Sequence, residues 1–155
     1  MAIRKAGVRD LLSISRLLGQ LGYPNTERFI QSRMIDVMTT SNAVIIVYEK
    51  NFQVLAFMAI DFVVHLGLET NVARISCFAI DPAFKFRGIG KEMEEYAEAL
   101  AMEKNCKRIE LHCTDNCRGA HRFYETLGYV ESPKYFIKTI DKKRENKIKA
   151  GNKQL

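Results

Sequence analysis

Gly88 and Gly90, with Lys85, Arg87 and Lys91 beside them in the stretch KFRGIGK, are the residues whose types and spacing point most directly to chemistry. They follow a β-rich run and open a helical pattern. There the first backbone N–H groups lack intrahelical partners, and the helix dipole adds positive potential. Glycine omits the β-carbon that would hold an anion off the backbone, and the three cations add charge around the mouth. The expected ligand is a phosphate. Two common phosphate loops do not fit. A P-loop needs a glycine where Lys85 stands and Ser or Thr where Glu92 stands. A dinucleotide fingerprint needs a third glycine where Met93 stands. A diphosphate held on backbone amides without a metal fits better.

His112, Cys113, Cys117 and His121 have a metal-like spacing, but they straddle a strand end and a helix start. Ligands so placed do not converge without special geometry, and no metal is expected. The four cysteines, Cys77, Cys106, Cys113 and Cys117, contain no CxxC and read as reduced thiols.

The elements that must position the glycine loop follow from pattern. A chain of 155 residues, 47% hydrophobic and 27% charged, has the size and composition of one globular domain. Most of the net charge of +6 lies in the last segment, DKKRENKIKAGNKQL. Such a stretch reads as a solvated terminus rather than a nucleic-acid surface. The expected organisation is a domain over 1–140 and a disordered basic tail over 141–155. There is no apolar run of membrane-spanning length and no signal-peptide pattern, so a cytoplasmic location without membrane association is expected.

The predicted order is β-α-α-β-β-β-α-β-α-β-β, a mixed α/β (α+β) sheet with helices on its faces. The first helix has Val8, Leu11, Leu12, Leu18 and Leu21 at roughly helical spacing. The second, capped by Asn25 or Thr26, offers Phe29, Met34, Ile35 and Met38. Two β-rich runs flank Glu49, Lys50 and Asn51 as a hairpin. VARISCFAID is a strand cut off at Asp81 and Pro82, and Ile89, Met93, Tyr96, Ala97, Leu100 and Ala101 form a helical stripe after the glycines. KRIELHCT is a further strand, GAHRFYETL a short helix closed by Gly128, and YVESPKYFIKTI a last pair of strands around Ser132 and Pro133.

The segment CFAIDPAFKFRGIGKEMEEYAEALA resembles the acyl-coenzyme A binding motif of the GNAT superfamily of N-acetyltransferases. That signature is Arg or Gln, two residues, Gly, one residue, then Gly or Ala. Here it reads Lys85, Phe86, Arg87, Gly88, Ile89, Gly90, with Lys85 as its one departure. A second segment, CRGAHRFYETLGYV, is similar to a later part of the same family, with Ala120, Phe123, Tyr124, Glu125, Gly128 and Tyr129 in register.

The resemblance implies a single domain whose mostly antiparallel sheet is splayed in the middle, between the strand ending at Ile80 and the strand ending at Thr114. It implies acetyl-CoA as co-substrate, its pantetheine pairing with backbone around Phe78 and Ile80 and its pyrophosphate on the amides from Phe86 to Lys91. It further implies Tyr124 as the acid that protonates the departing thiolate. For the base, His112 stands on the strand where some relatives carry a glutamate, with Glu110 or a water chain as alternatives. The family's pantetheine-contacting Asn position is Cys117 here, so Asn116 is the candidate for that contact. Cys117 as an acyl-accepting nucleophile does not suit the family's direct transfer.

The implied partner is a primary amine of a small molecule or peptide. Glu27, Asp61, Glu69 and Glu131 are placed to attract a cation such as an aminoglycoside, a polyamine or a peptide N-terminus. A homodimer is compatible with the family. A CoA-binding sensor of the same fold without turnover is the alternative function.

Overall fold

A computed structural model of the chain describes residues 2–113, 118–132, 135–140 and 150–151. Thr114, Asn116, Cys117, Pro133 and nearly all of the basic tail lie outside the described residues. The elements in chain order are β1 (Ala2–Lys5), α1 (Leu11–Gln20), α2 (Ile30–Met38), β2 (Ala43–Lys50), β3 (Gln53–Val63), β4 (Asn71–Ile80), α3 (Ile89–Glu103), β5 (Cys106–Leu111) and α4 (Arg118–Thr126). Short 3-10 turns cover Val8–Asp10, Thr26–Arg28 and Pro82–Phe84. By their contacts the residues form two compact units, Met1–Arg118 and Gly119–Leu155.

The first unit is one sheet in the order β1-β2-β3-β4-β5. Its first three junctions are antiparallel and the last is parallel, with α3 as the crossover that a parallel pair requires. β2 and β3 are near-continuous apolar runs because both of their faces are covered. Their hairpin turns on Asn51 and Phe52, whose φ angles of 50° and 62° are the left-handed pair that matches strand twist.

On one face, Ile89, Met93, Ala97 and Ala101 of α3 pack on Ile46, Tyr48, Leu55, Met58 and Ile60. On the other, Ile14, Leu17 and Leu18 of α1 and Ile30 and Met34 of α2 pack on Ile45, Val47, Val54, Phe57 and Ala79. The alternation of strand side chains divides the two cores. No helix among the described residues is long and apolar enough to cross a membrane.

The α3 stripe matches its sequence expectation; the faces of α1 and α2 match it only in part, at Leu18 and Met34. Val8, Leu12 and Leu21 are exposed, and Ile14, Leu17 and Leu18 carry the burial. So many apolar residues in one stretch fit more than one helical face, and helix packing selects the phase. In α2, Phe29, Ile35 and Met38 are exposed while Ile30 and Met34 are buried. Here the turn at Thr26–Arg28 delays the helix start. Thr26 does not cap it; its hydroxyl shares a 2.7 Å buried hydrogen bond with Ser15 of α1. The expected final strands are also absent from the described residues 129–132 and 135–140. Val130, Phe136, Ile137 and Ile140 are exposed there, and β-branched or aromatic residues form a strand only where a partner strand pairs with them.

Arg4 ties the sheet edge to the segment entering α1. It donates to both oxygens of Asp10, at 2.8 and 2.9 Å, and through Nε to Glu49 of β2 at 2.6 Å. The buried Asp10 carboxylate also accepts the Gly7 N–H at 2.8 Å. The Arg4 hydrogen bond, partly offset by desolvation, holds the Asp10 carboxyl below its usual range. A folded-state pKa below the unfolded one gives stability that is present above the unfolded carboxyl pKa and lost as pH falls through the folded one. Asp10→Asn is therefore expected to cost about 2 kcal/mol at neutral pH, read by urea denaturation. The gap from wild type should narrow in acid; an equal gap at both pH values would show that the charge contributes nothing.

Candidate functional site

The site begins where the sheet stops pairing. β4 pairs with β5 only from Asn71 to Ile75, so β4 from Ser76 to Ile80 has no strand neighbour on that side among the described residues. At the same point β4 carries a bulge: Ala59 pairs with Cys77 and Ile60 with Ile75, leaving Ser76 as an extra residue. Its hydroxyl donates to the Ala59 carbonyl at 3.3 Å. A bulge bends and twists its strand. An unpaired strand edge offers N–H and C=O groups to an extended ligand. The Phe78 and Ile80 side chains are packed against the α3-side core, which leaves their backbone for that task.

The edge runs directly into the glycine loop. Lys85, Phe86, Arg87 and Gly88 are exposed, while Ile89 and Gly90 are buried at the start of α3. Phe86 and Gly88 have left-handed φ angles of 64° and 84°. Such turns aim successive N–H groups into an anion-binding concavity. The helix ladder starts with the Glu92 N–H on the Gly88 carbonyl at 3.1 Å, so the amides of Ile89, Gly90 and Lys91 precede it. The Arg87 guanidinium lies 5.3 Å from the centre of the Phe84 ring, and Lys91 pairs with Glu95 at 3.7 Å. A β-carbon built on Gly88 would meet nothing within 4 Å, so the glycine is there for its backbone angle and not for want of space. These features fit a diphosphate with an extended arm. The sequence shows the glycines; it gives no sign of the left-handed Phe86, since bulky residues seldom adopt positive φ, or of the Ser76 bulge.

The candidate proton-transfer residues are distributed over both units. Glu110 of β5 is joined by Arg74 of β4 at 3.5 Å and by Arg108 at 3.1 Å. His112 follows β5 and is exposed. Tyr124 belongs to the second unit, in the last turns of α4. There the Gly128 N–H donates to Glu125 and the Tyr129 N–H to Tyr124, at 3.1 Å each, with Gly128 at φ 90°. This is the glycine-closed helix end in which the residue after the glycine packs back on the helix. The Tyr129 and Tyr124 rings accordingly meet edge to face at 5.3 Å, with Phe123 on Tyr124 at 5.2 Å. The GY pair thus explains how the Tyr124 ring is held.

Asn116, named for pantetheine, lies outside the described residues. Of the acidic acceptor candidates, Glu27 sits in the turn before α2, Glu69 in the β3–β4 connection and Glu131 after α4, all exposed. Asp61 is half-buried on β3. Burial first, and Asp61 second, push the Cys77 thiol up, so Cys77 is not an activated nucleophile.

Comparison with known proteins agrees with this geometry. The chain is 38% identical over 60 residues to the GCN5-related N-acetyltransferase 4, chloroplastic, of Arabidopsis thaliana, a match covering 39% of this chain and only 21% of that protein. Its fold is similar to a transcriptional regulator from Bacillus halodurans C-125, with a TM-score of 0.84 and 22% identity over 90% of this chain and 99% of that one. It is also similar to glucosamine-6-phosphate N-acetyltransferase from Arabidopsis thaliana, with a TM-score of 0.78 and 22% identity over 90% and 98% of the two chains. The family model "Acetyltransferase (GNAT) family" matches residues 11–129, taking in the open edge of β4, the glycine loop and α4, and the chain belongs to that family.

Proposed function

We propose that the protein is an N-acetyltransferase that moves an acetyl group from acetyl-CoA to a primary amine of a small molecule or peptide, by direct attack in a ternary complex. The observation that carries this reading is the continuity of the β4 edge Ser76–Ile80, unpaired among the described residues, with the left-handed turns at Phe86 and Gly88. When bound, acetyl-CoA supplies an acyl group activated as a thioester.

The residues act around it as follows. Backbone groups at Phe78 and Ile80 align the pantetheine, with Asn116 as a side-chain contact. The amides from Phe86 through Ile89 and Gly90 to Lys91 take the pyrophosphate, and Lys85, Arg87 and Lys91 supply positive potential around it. The amine must be neutral to attack, and His112, with an imidazole nitrogen able to accept a proton, takes its proton. Glu110 is the weaker choice for that task, its carboxylate being engaged by two guanidinium groups. Tyr124, fixed between Phe123 and Tyr129, gives a proton to the departing sulfur. The acceptor is a cationic amine drawn by Asp61, Glu27, Glu69 and Glu131. The similarity to a glucosamine-6-phosphate N-acetyltransferase supports a small amine.

Screening an amine panel for thiol release tests the reading. At least one amine should release CoA, and CoA binding with no turnover on any amine would instead mark a sensor. Tyr124→Phe should lower kcat by about 10²-fold while CoA affinity stays within about twofold; an unchanged kcat would remove Tyr124 as the acid. Gly88→Val should weaken CoA binding at least ~10-fold, because a β-branched residue resists the positive φ of the cradle. Unchanged affinity in calorimetry would move the pyrophosphate elsewhere.

A further inference from the structure

Lys85, Phe86, Arg87 and Gly88 are exposed and include two left-handed residues, so the cradle is not held in shape by burial of its own side chains. Its two ends are held. At the start stands Asp81, a buried residue that makes four hydrogen bonds. Its N–H donates to the Leu55 carbonyl at 2.7 Å, and its own carbonyl accepts the Phe84 N–H at 2.8 Å. One carboxylate oxygen accepts the Ala83 N–H at 3.0 Å, and the other accepts from Arg16 of α1 at 2.7 Å. Arg16 reaches on to the Val54 carbonyl of β3 at 3.4 Å, so one side chain ties α1, β3 and the loop start together.

At the far end is Glu92, in the first turn of α3, whose N–H begins the helix ladder on Gly88. Glu92 occupies the position where a hydrolase phosphate loop carries Ser or Thr. A partly exposed ion pair such as Arg16–Asp81 adds little to global stability. Its effect lies in local order.

We propose that Arg16, which is not on the loop, is a positioning residue for the anion cradle: it fixes the start of the cradle through Asp81. The inference rests on the reading that the cradle takes the CoA diphosphate. Preorganisation of this kind appears in ligand affinity rather than in the folding transition.

The test compares wild type with Arg16→Ala, Arg16→Lys and the near-isosteric Asp81→Asn. CoA Kd is read by calorimetry, melting temperature by scanning, and KM for acetyl-CoA and for the amine by thiol release. Arg16→Ala and Asp81→Asn should each raise the CoA Kd about 5- to 10-fold and raise the acetyl-CoA KM in parallel. The amine KM, and kcat at saturating acetyl-CoA, should stay within about twofold, and Arg16→Lys, which keeps the charge, should recover part of the loss. CoA Kd values within about twofold of wild type, or equal rises in both KM values, overturn the inference. If Arg16→Ala does not fold, Asp81→Asn decides alone. Wild-type binding of CoA with unaffected variants rejects the tether and leaves the function intact, whereas a wild type that binds no CoA rejects both.

Discussion

The structure depends on the early end of one parallel ladder. β4 leaves β5 after Ile75 while it stays paired with β3 as far as Ile80, and the extra residue Ser76 sits at the point of departure. An unpaired edge inside a sheet is costly unless water or a ligand satisfies it. Here the same asymmetry places the edge beside a helix mouth by chain connectivity. A parallel partner requires a crossover, the crossover is α3, and α3 starts a few residues beyond the end of β4. The extended ligand site and the anion site are therefore consecutive stretches of a single chain segment.

A strand paired on one side must be held by its faces, and the two cores do this. Phe78 and Ile80 enter the cluster beneath α3, while Cys77 and Ala79 enter the cluster beneath α1 and α2. This division explains why the side chains along the open edge are apolar and why recognition there falls to the backbone. It also accounts for the half-buried Cys77 as a packing residue. The cradle is built in the opposite way, with exposed side chains, left-handed backbone angles and a polar anchor at its start.

The glycine spacing, the strand exit at Asp81 and Pro82, and the α3 stripe were legible in the sequence because each is a local pattern with one structural solution. The GY pair after Tyr124 was legible too, and the helix end explains it. What could not be read was set by distant parts of the chain. The buried faces of α1 and α2 depend on which of several apolar phases meets the sheet and on the Ser15–Thr26 hydrogen bond. The Arg16–Asp81 pair joins residues 65 positions apart, and no spacing rule anticipates it. Phe86 carries a backbone angle that its residue type argues against. The expectation of strands in YVESPKYFIKTI came from β-propensity alone, which reports suitability for a sheet and not the presence of a partner.

The central claim is that one continuous segment, from the open edge of β4 through the mouth of α3, is the acyl-CoA site. Amide hydrogen exchange with and without CoA tests it most directly. The account predicts new protection in residues 76–80 and 86–91, with the β1–β2 and β2–β3 ladders unchanged. Protection confined to other segments, or none at saturating CoA, would contradict it.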